Sequence, residues 1–238
     1  MNDSVTVVVT SCNRVDLLER TMVSFIQQNT YPIDRYLLID DSANLQAFED
    51  IKKLNEKLGN IFELYFNYEK LGQVRSIDKM YKLVDTDYIF HLEDDWEFYR
   101  PDFIQKSIDI LKYDEKIIQP VIRAKHDSYS AGISSEIFQT NSGIKYRKLH
   151  LVSYPVDPVT GRWVRNYGGF TLNPGLRRTS DYKLLPSYTS ISDENGCEEP
   201  IDKFYQNLGF YVVSISESDS DGYVKHIGWN KRTENHIW

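Results

Sequence analysis

Residues 88–100 read Tyr88-Ile89-Phe90-His91-Leu92-Glu93-Asp94-Asp95-Trp96-Glu97-Phe98-Tyr99-Arg100. A short, mostly apolar run of this length reads as a buried strand, and this one ends in three consecutive acids. A strand thus carries a cluster of negative charge to one end of a sheet. Adjacent carboxylates repel each other, and each loses hydration on burial. A hard divalent cation relieves both costs through oxygen ligation, and such an ion completes its shell with water and substrate phosphates. The alternative is a solvated loop whose acids cap the next helix. Asp102, just after Pro101, has the position of that helix's first-turn acid, so the cap does not need the triplet.

Upstream of this strand the chain alternates in strand-helix units. Strands are expected at Val5–Thr10, Tyr36–Ile39 and Ile61–Phe66. Helices are expected at Asp16–Asn29, Leu45–Leu58 and Gln73–Val84, each with apolar residues at helical spacing. Three strand-helix units followed by a strand give an α/β fold: a mostly parallel central sheet with helices on both faces. Ligands of such sheets bind beyond the carboxyl ends of the strands, where the strand order reverses. Polar groups gather at those ends: Thr10-Ser11, Asp40-Asp41 and Glu93-Asp94-Asp95.

Composition narrows the partners. The 238 residues carry a net charge of −7, which argues against a nucleic-acid binder with a basic face. A nucleotide ligand remains compatible, because a metal supplies the missing charge. The two cysteines, Cys12 and Cys197, lie far apart and fit a reducing compartment. No run approaches the roughly 20 apolar residues of a membrane span, and the N-terminus lacks the pattern of a signal peptide. A cytoplasmic location is expected. Seventeen tyrosines suit strands and the flat walls of sugar or nucleotide pockets.

The second half is less regular. A helix is expected at Pro101–Tyr113 and strands at Ile117–Arg123 and Ile144–Val152, with a polar loop over Asp127–Gly143 between them. The stretch SYPVDPVTGRWVRNYGGFTLNPGLRR, residues 153–178, is rich in Gly, Pro, Arg and aromatics and reads as binding loops. Glu198–Leu208 reads as a helix and Phe210–Ile215 as a strand. In the Asp40-Asp41-Ser42 turn, the simplest role is a cap on the following helix. Arg75, early in the third helix, suits an anion site at a helix N-terminus, although most arginines are surface residues.

The runs VTVVVTSCNRVDLLERTMVSFIQQ, LLIDDSA, LGQVRSIDKMY and YIFHLEDDWEF, followed by NYGGFTLNPGLRR, CEEPIDKFYQNLGF and VKHIGW, resemble glycosyltransferase family 2, with the GT-A fold. The resemblance implies a single domain over 1–238, with a nucleotide-sugar half (1–95) and an acceptor half (96–238). It implies that Thr10, Ser11, Cys12 and Arg14 line the base pocket, that Asp41 meets base or ribose, and that Arg75 lies near base or phosphate. Glu93-Asp94-Asp95 takes the place of the family's Asp-x-Asp motif, whose middle acid faces the donor and whose last acid binds metal. The C-terminal metal ligand falls on His226, and the His-Asp-diphosphate set suits Mn²⁺ or Mg²⁺. The catalytic base falls on Glu199 or on its neighbour Glu198. The family's commoner Glu-Asp pair is Glu-Glu here, which leaves that choice open. Pro200 supports a helix start at the pair. Trp163, Tyr167, Gly169 and Phe170, with Trp229, are candidate acceptor walls, packing being equally expected of the aromatics. Arg162, Arg165, Arg177 and Arg178 are candidates for holding an acidic acceptor or the donor diphosphate.

The implied activity is metal-dependent, inverting transfer of a sugar from a nucleotide-diphosphate sugar, UDP by default, to a hydroxyl of a glycan or glycoconjugate. Two alternatives stand beside it. A nucleotidyltransferase would carry a Gly-rich basic loop after the first strand, where this chain has TSCNRVD. A non-catalytic sugar- or nucleotide-binding module would be expected to lack the acids that are retained here.

Overall fold

The structure, a computed structural model, describes residues 3–127, 132–154, 164–192 and 197–228. Strands β1 (Val5–Ser11), β2 (Arg35–Asp40), β3 (Phe62–Phe66) and β4 (Tyr88–Glu93) alternate with helices α1 (Val15–Gln28), α2 (Leu45–Lys57) and α3 (Gln73–Tyr81). They form a parallel sheet in the order β3-β2-β1-β4. β1 is buried on both faces, which is why its sequence is a continuous β-branched run and does not alternate. Val5, Val7 and Val9 pack with Leu18, Met22 and Phe25 of α1. Val8 points the other way, into the cluster of Val74, Ile77 and Met80 from α3.

The chain leaves β1 toward β2 and β3, then returns to β4 on the other side of β1. The strand order therefore reverses between β1 and β4. Register places Thr10 opposite Glu93 and Ser11 opposite Asp40. The polar ends of three strands thus share one edge.

Beyond the acid turn come β5 (Trp96–Phe98), α4 (Phe103–Tyr113) and β6 (Ile117–Val121). Then follow β7 (Gly132–Ile133), β8 (Phe138–Gln139), β9 (Lys145–His150), β10 (Val152–Tyr154), β11 (Val164–Tyr167) and β12 (Gly175–Arg178). The chain continues through α5 (Thr179–Tyr182), α6 (Glu198–Asn207), β13 (Tyr211–Ser214) and β14 (Val224–His226). β12 adds to the parallel sheet antiparallel to β4. A second sheet runs β6-β13-β9-β7, with β8 on β9. β14 pairs antiparallel with β5, so His226 lies opposite Trp96. Among the described residues, no helix is long and apolar enough to cross a membrane.

Three expectations need correction. The third helix stops at Tyr81, and residues 82–83 form a turn. The loop expected over 127–143 holds the short strands β7 and β8. Asp102 does not cap α4 with its side chain: its backbone is left-handed (φ 68°), and its carboxylate accepts from Thr30 Oγ1 at 3.0 Å. The acid triplet is not that helix's cap either, because β5 separates the two.

Candidate active site

The turn after β4 is held from several sides. Thr21 of α1 donates through Oγ1 to the Asp94 carbonyl (2.9 Å) and accepts from the Trp96 amide (3.0 Å). Asp94 is only 1% exposed. Its Oδ2 accepts from Ser11 Oγ (3.1 Å), the Cys12 amide (3.1 Å) and Arg14 Nε (3.3 Å), while Arg14 Nη2 pairs with its Oδ1. Burial pushes the Asp94 carboxyl up to about 6, against the pull of Arg14. Glu93 is held by the Gln73 amide, from the start of α3, and by Trp96 Nε1 at 3.0 Å. Burial, with the charges of Asp95 and Glu198 added, pushes Glu93 up to about 8.

Asp95 is different. Its Oδ2 accepts from Arg14 Nη1 (2.8 Å) and faces His226 Nε2 at 3.1 Å. Burial alone would raise its carboxyl, but His226 and Arg14 outweigh that and hold it below the usual range. His226 is set by three neighbours. Its amide donates to Asp127 Oδ2 (3.0 Å), its ring stands edge-on to Trp96 at 4.9 Å, and the next residue, Ile227, donates its amide to the Asp95 carbonyl (2.9 Å). A Cβ on Gly228 would lie 2.3 Å from Asp95 Oδ2, so only glycine fits beside that oxygen. The oxygen and imidazole nitrogen suit a divalent cation that takes its other ligands from a diphosphate. Among the described residues no group of three or more metal-ligating side chains gathers.

Of the residues expected to meet the donor, Thr10 and Ser11 lie at the sheet edge, opposite Glu93 and Asp40. Asp41 accepts from Asn67 Nδ2 and from the Leu71 and Gly72 amides, each at 2.8 Å. It braces the entry to α3 and does not cap α2, whose cap is Asn44. Thr10 and Cys12 are buried. Arg75 is exposed in the first turn of α3.

The first turn of α6 brings Glu198 near the acid turn, where its charge acts on Glu93. Glu198 Oε1 accepts from Thr171 Oγ1 (2.8 Å) and the Leu172 amide (2.6 Å), and burial raises its carboxyl. Glu199 pairs with Lys203 one turn on. Cys197 is buried and packs, its thiol raised by burial. Gly169 adopts φ 99°, a conformation that favours glycine.

Several expected acceptor contacts are corrected. Phe170 is 0% exposed, packed against Tyr188 and Tyr205, and presents no face to a sugar. Tyr167 is buried, its hydroxyl donating to the Phe170 carbonyl. Arg177 is 1% exposed and donates to Tyr188 Oη (3.4 Å) and the Thr171 carbonyl (3.2 Å). Arg178 binds carbonyls at the end of α4, including those of Leu111 and Asp114, and pairs with Asp181 at 2.7 Å. These arginines serve the fold. Trp163, Arg162 and Trp229 lie outside the described residues, as does the side chain of Arg165.

Sequence reading passes over Thr21, Gln73, Asp202 and Gly228. Asp202 accepts from the Gly168 amide (2.7 Å) and the Phe170 amide (3.0 Å), fixing the glycine loop to α6. Its place one turn after Glu198 is the available signal, since residues four apart share a helix face.

A family model described as Glycosyl transferase family 2 matches residues 6–165, more than half of the 238-residue chain. No curated protein matches the sequence. Solved structures similar in fold include the mannosyltransferase PcManGT from Pyrobaculum calidifontis, in complex with GDP-Man and Mn²⁺. It has 12% identity and a TM-score of 0.60, with 89% of this chain and 54% of that one covered. GalNAc-T7 with UDP, GalNAc and Mn²⁺ has 15% identity and a TM-score of 0.65, with coverage of 97% and 45%. S. aureus TarS 1–349 in complex with UDP-GlcNAc has 14% identity and a TM-score of 0.59, with coverage of 98% and 60%. The chain thus spans less than two thirds of each of these proteins. The likeness is one of fold, the GT-A arrangement of a mainly parallel sheet with helices.

Proposed function

The chain belongs to glycosyl transferase family 2, and we propose that it transfers a sugar, with inversion, from a nucleotide-diphosphate sugar to a hydroxyl of a glycan or glycoconjugate. UDP is the default nucleotide. GDP is the next to try, since neighbours of this fold bind GDP-Man as well as UDP and UDP-GlcNAc. The observation that carries the reading is one of position. The Asp95–His226 pair lies at the point where strand order reverses, and Glu198, at the start of α6, is near enough for its charge to act on Glu93. In open α/β sheets that crevice is where nucleotides bind.

The donor half is residues 1–95 and the acceptor half residues 96–238. Ser11, Cys12 and the entry to α3 frame the nucleotide, with Asp41 holding that entry in shape. Arg75, exposed at the N-terminal turn of α3, faces base or phosphate. Asp95 and His226 would hold Mn²⁺ or Mg²⁺, as the Mn²⁺ complexes of two fold neighbours suggest. Bound there, the ion would supply positive charge to the leaving diphosphate. Glu199 takes the proton of the acceptor hydroxyl as that oxygen attacks the anomeric carbon from the face opposite the diphosphate. Glu198 is the rival for that role: its Oε1 accepts from Thr171 and Leu172, as Glu199 Oε1 pairs with Lys203.

The experiment is release of nucleoside diphosphate from UDP- and GDP-sugars with Mn²⁺, offered a panel of sugar acceptors, for wild type, Glu199→Gln and Glu198→Gln. Turnover lost in Glu199→Gln with donor binding kept supports the assignment. Full activity in Glu199→Gln with loss in Glu198→Gln moves the base by one residue. No turnover with any donor despite tight nucleotide binding would instead favour a binding module.

A further inference from the structure

Arg14 is a partly buried cation inserted between two carboxylates, and its contacts are unequal. Nε and Nη2 both go to Asp94, the deeper acid, which also has bonds from Ser11 and the Cys12 amide. Only Nη1 reaches Asp95, and it lands on Oδ2, the same oxygen that faces His226. A guanidinium forks in a fixed plane and can keep two donors on one carboxylate while a third donor changes partner. Resting on the metal assignment above, we propose that Arg14 is a built-in counter-ion that competes with the divalent cation for Asp95. In the metal-free protein it neutralises Asp95. When the cation arrives, the Nη1 contact is given up while Nε and Nη2 stay on Asp94.

The physical reason is charge balance. Asp94 and Asp95 adjoin and are both buried. Without a cation their repulsion would be poorly screened, because water is excluded there. Arg14 makes the metal-free turn tolerable, and in doing so it lowers the affinity of that turn for bare metal. A cation arriving with a diphosphate brings extra ligands that offset the loss of the Arg14 contact. Metal alone has none. The arrangement therefore favours uptake of metal together with donor.

The test is calorimetric titration of Mn²⁺, without nucleotide and then with UDP or GDP, into wild type, Arg14→Gln and Lys225→Gln. The glutamine in place of Arg14 removes the charge and the contact to Asp95 but keeps an amide donor for Asp94. Lys225 adjoins His226 in sequence and pairs with Glu97, so its variant reports the effect of losing one nearby charge without losing a contact to Asp95. The expected result is Mn²⁺ binding roughly ten- to a hundredfold tighter in Arg14→Gln without nucleotide, the size of one charge-assisted hydrogen bond released. The gain should be much smaller in Lys225→Gln, and the advantage that nucleotide gives to Mn²⁺ binding should shrink in Arg14→Gln. Equal or weaker binding in Arg14→Gln, or equal gains in the two variants, would overturn the competition and leave the metal site standing. No Mn²⁺ uptake by any of the three proteins, with or without nucleotide, would remove the metal assignment and this inference together. Should Arg14→Gln not fold, the assigned guanidinium resonances of Arg14 in the wild type decide the question. They should shift as Mg²⁺ and UDP or GDP saturate the site; resonances unmoved at saturation would contradict the inference.

Discussion

The parallel-sheet edge and the acceptor-side loops both surround the site, but they are held by different forces. At the edge, backbone register does most of the positioning: Thr10 faces Glu93 and Ser11 faces Asp40 because β1, β2 and β4 are paired along their length. On the acceptor side, single carboxylates tie distant backbone to α6: Glu198 holds Thr171 and Leu172, and Asp202 holds Gly168 and Phe170. A paired strand loses little when one side chain changes. A loop tied by one carboxylate loses its shape. The edge is therefore the durable part, and the loops are the part where losing one carboxylate should cost stability.

The largest effects sharpen that contrast. Glu199→Gln should lower turnover by roughly 10²- to 10⁴-fold, the contribution of a positioned base, and leave nucleotide binding intact. Asp95→Ala should cost roughly 10²- to 10³-fold, the size of one lost electrostatic stabiliser, and should also abolish the Mn²⁺ dependence of nucleotide binding. Steady-state kinetics with a separate binding titration distinguishes the two. Equal losses of nucleotide affinity in both variants would erase the division between donor and acceptor halves.

Next comes stability. Asp202→Ala leaves two buried amides without acceptors, each worth about 1–3 kcal/mol, and should lower unfolding free energy accordingly in denaturant titrations. A neutral result would mean that the glycine loop is held by packing alone. Gly228→Ala places a methyl against Asp95 Oδ2. It should weaken Mn²⁺-dependent nucleotide binding by about 1–3 kcal/mol, the usual cost of overpacking, and binding isotherms measure this directly.

A further expected effect concerns pH. Glu93 is pushed up to about 8 from an ordinary 4.5. Between those values the folded state binds more protons than the unfolded one, so stability of the metal-free protein falls as pH rises through that window. Glu93→Gln removes this contribution, and its unfolding midpoint should decline less steeply between pH 5 and pH 8, a window set by that shift. Asp94, raised to about 6 from 3.8, adds a slope of the same sign at the lower end. A slope as steep in the variant as in the wild type would show that Glu93 is not the group responsible.

The same contrast explains what is legible in the sequence. β1 through β4 and the helices between them follow from local pattern, because each strand is a β-branched or aromatic run buried on one or two faces. The acid turn follows from its position at a strand end. His226 is different: its place beside Asp95 depends on β14 finding β5 across the chain, and three-residue strands carry no local signal strong enough to announce that pairing. Phe170 and Arg177 mislead for a related reason. An aromatic or an arginine in a Gly-rich stretch has the same composition whether it faces a ligand or the core, and only the packing of Tyr188 and Tyr205 decides. Thr21 is invisible in the sequence because its value lies in two backbone partners more than seventy residues away.

The most direct test of the central claim is thermal unfolding with UDP, GDP, dTDP and CDP, each with and without Mn²⁺, in wild type and Asp95→Ala. A ligand that binds only the folded state raises the midpoint by mass action. The account predicts a rise with one nucleotide class that requires Mn²⁺ and disappears in Asp95→Ala. No rise with any nucleotide, or a rise indifferent to both Mn²⁺ and Asp95, would contradict it.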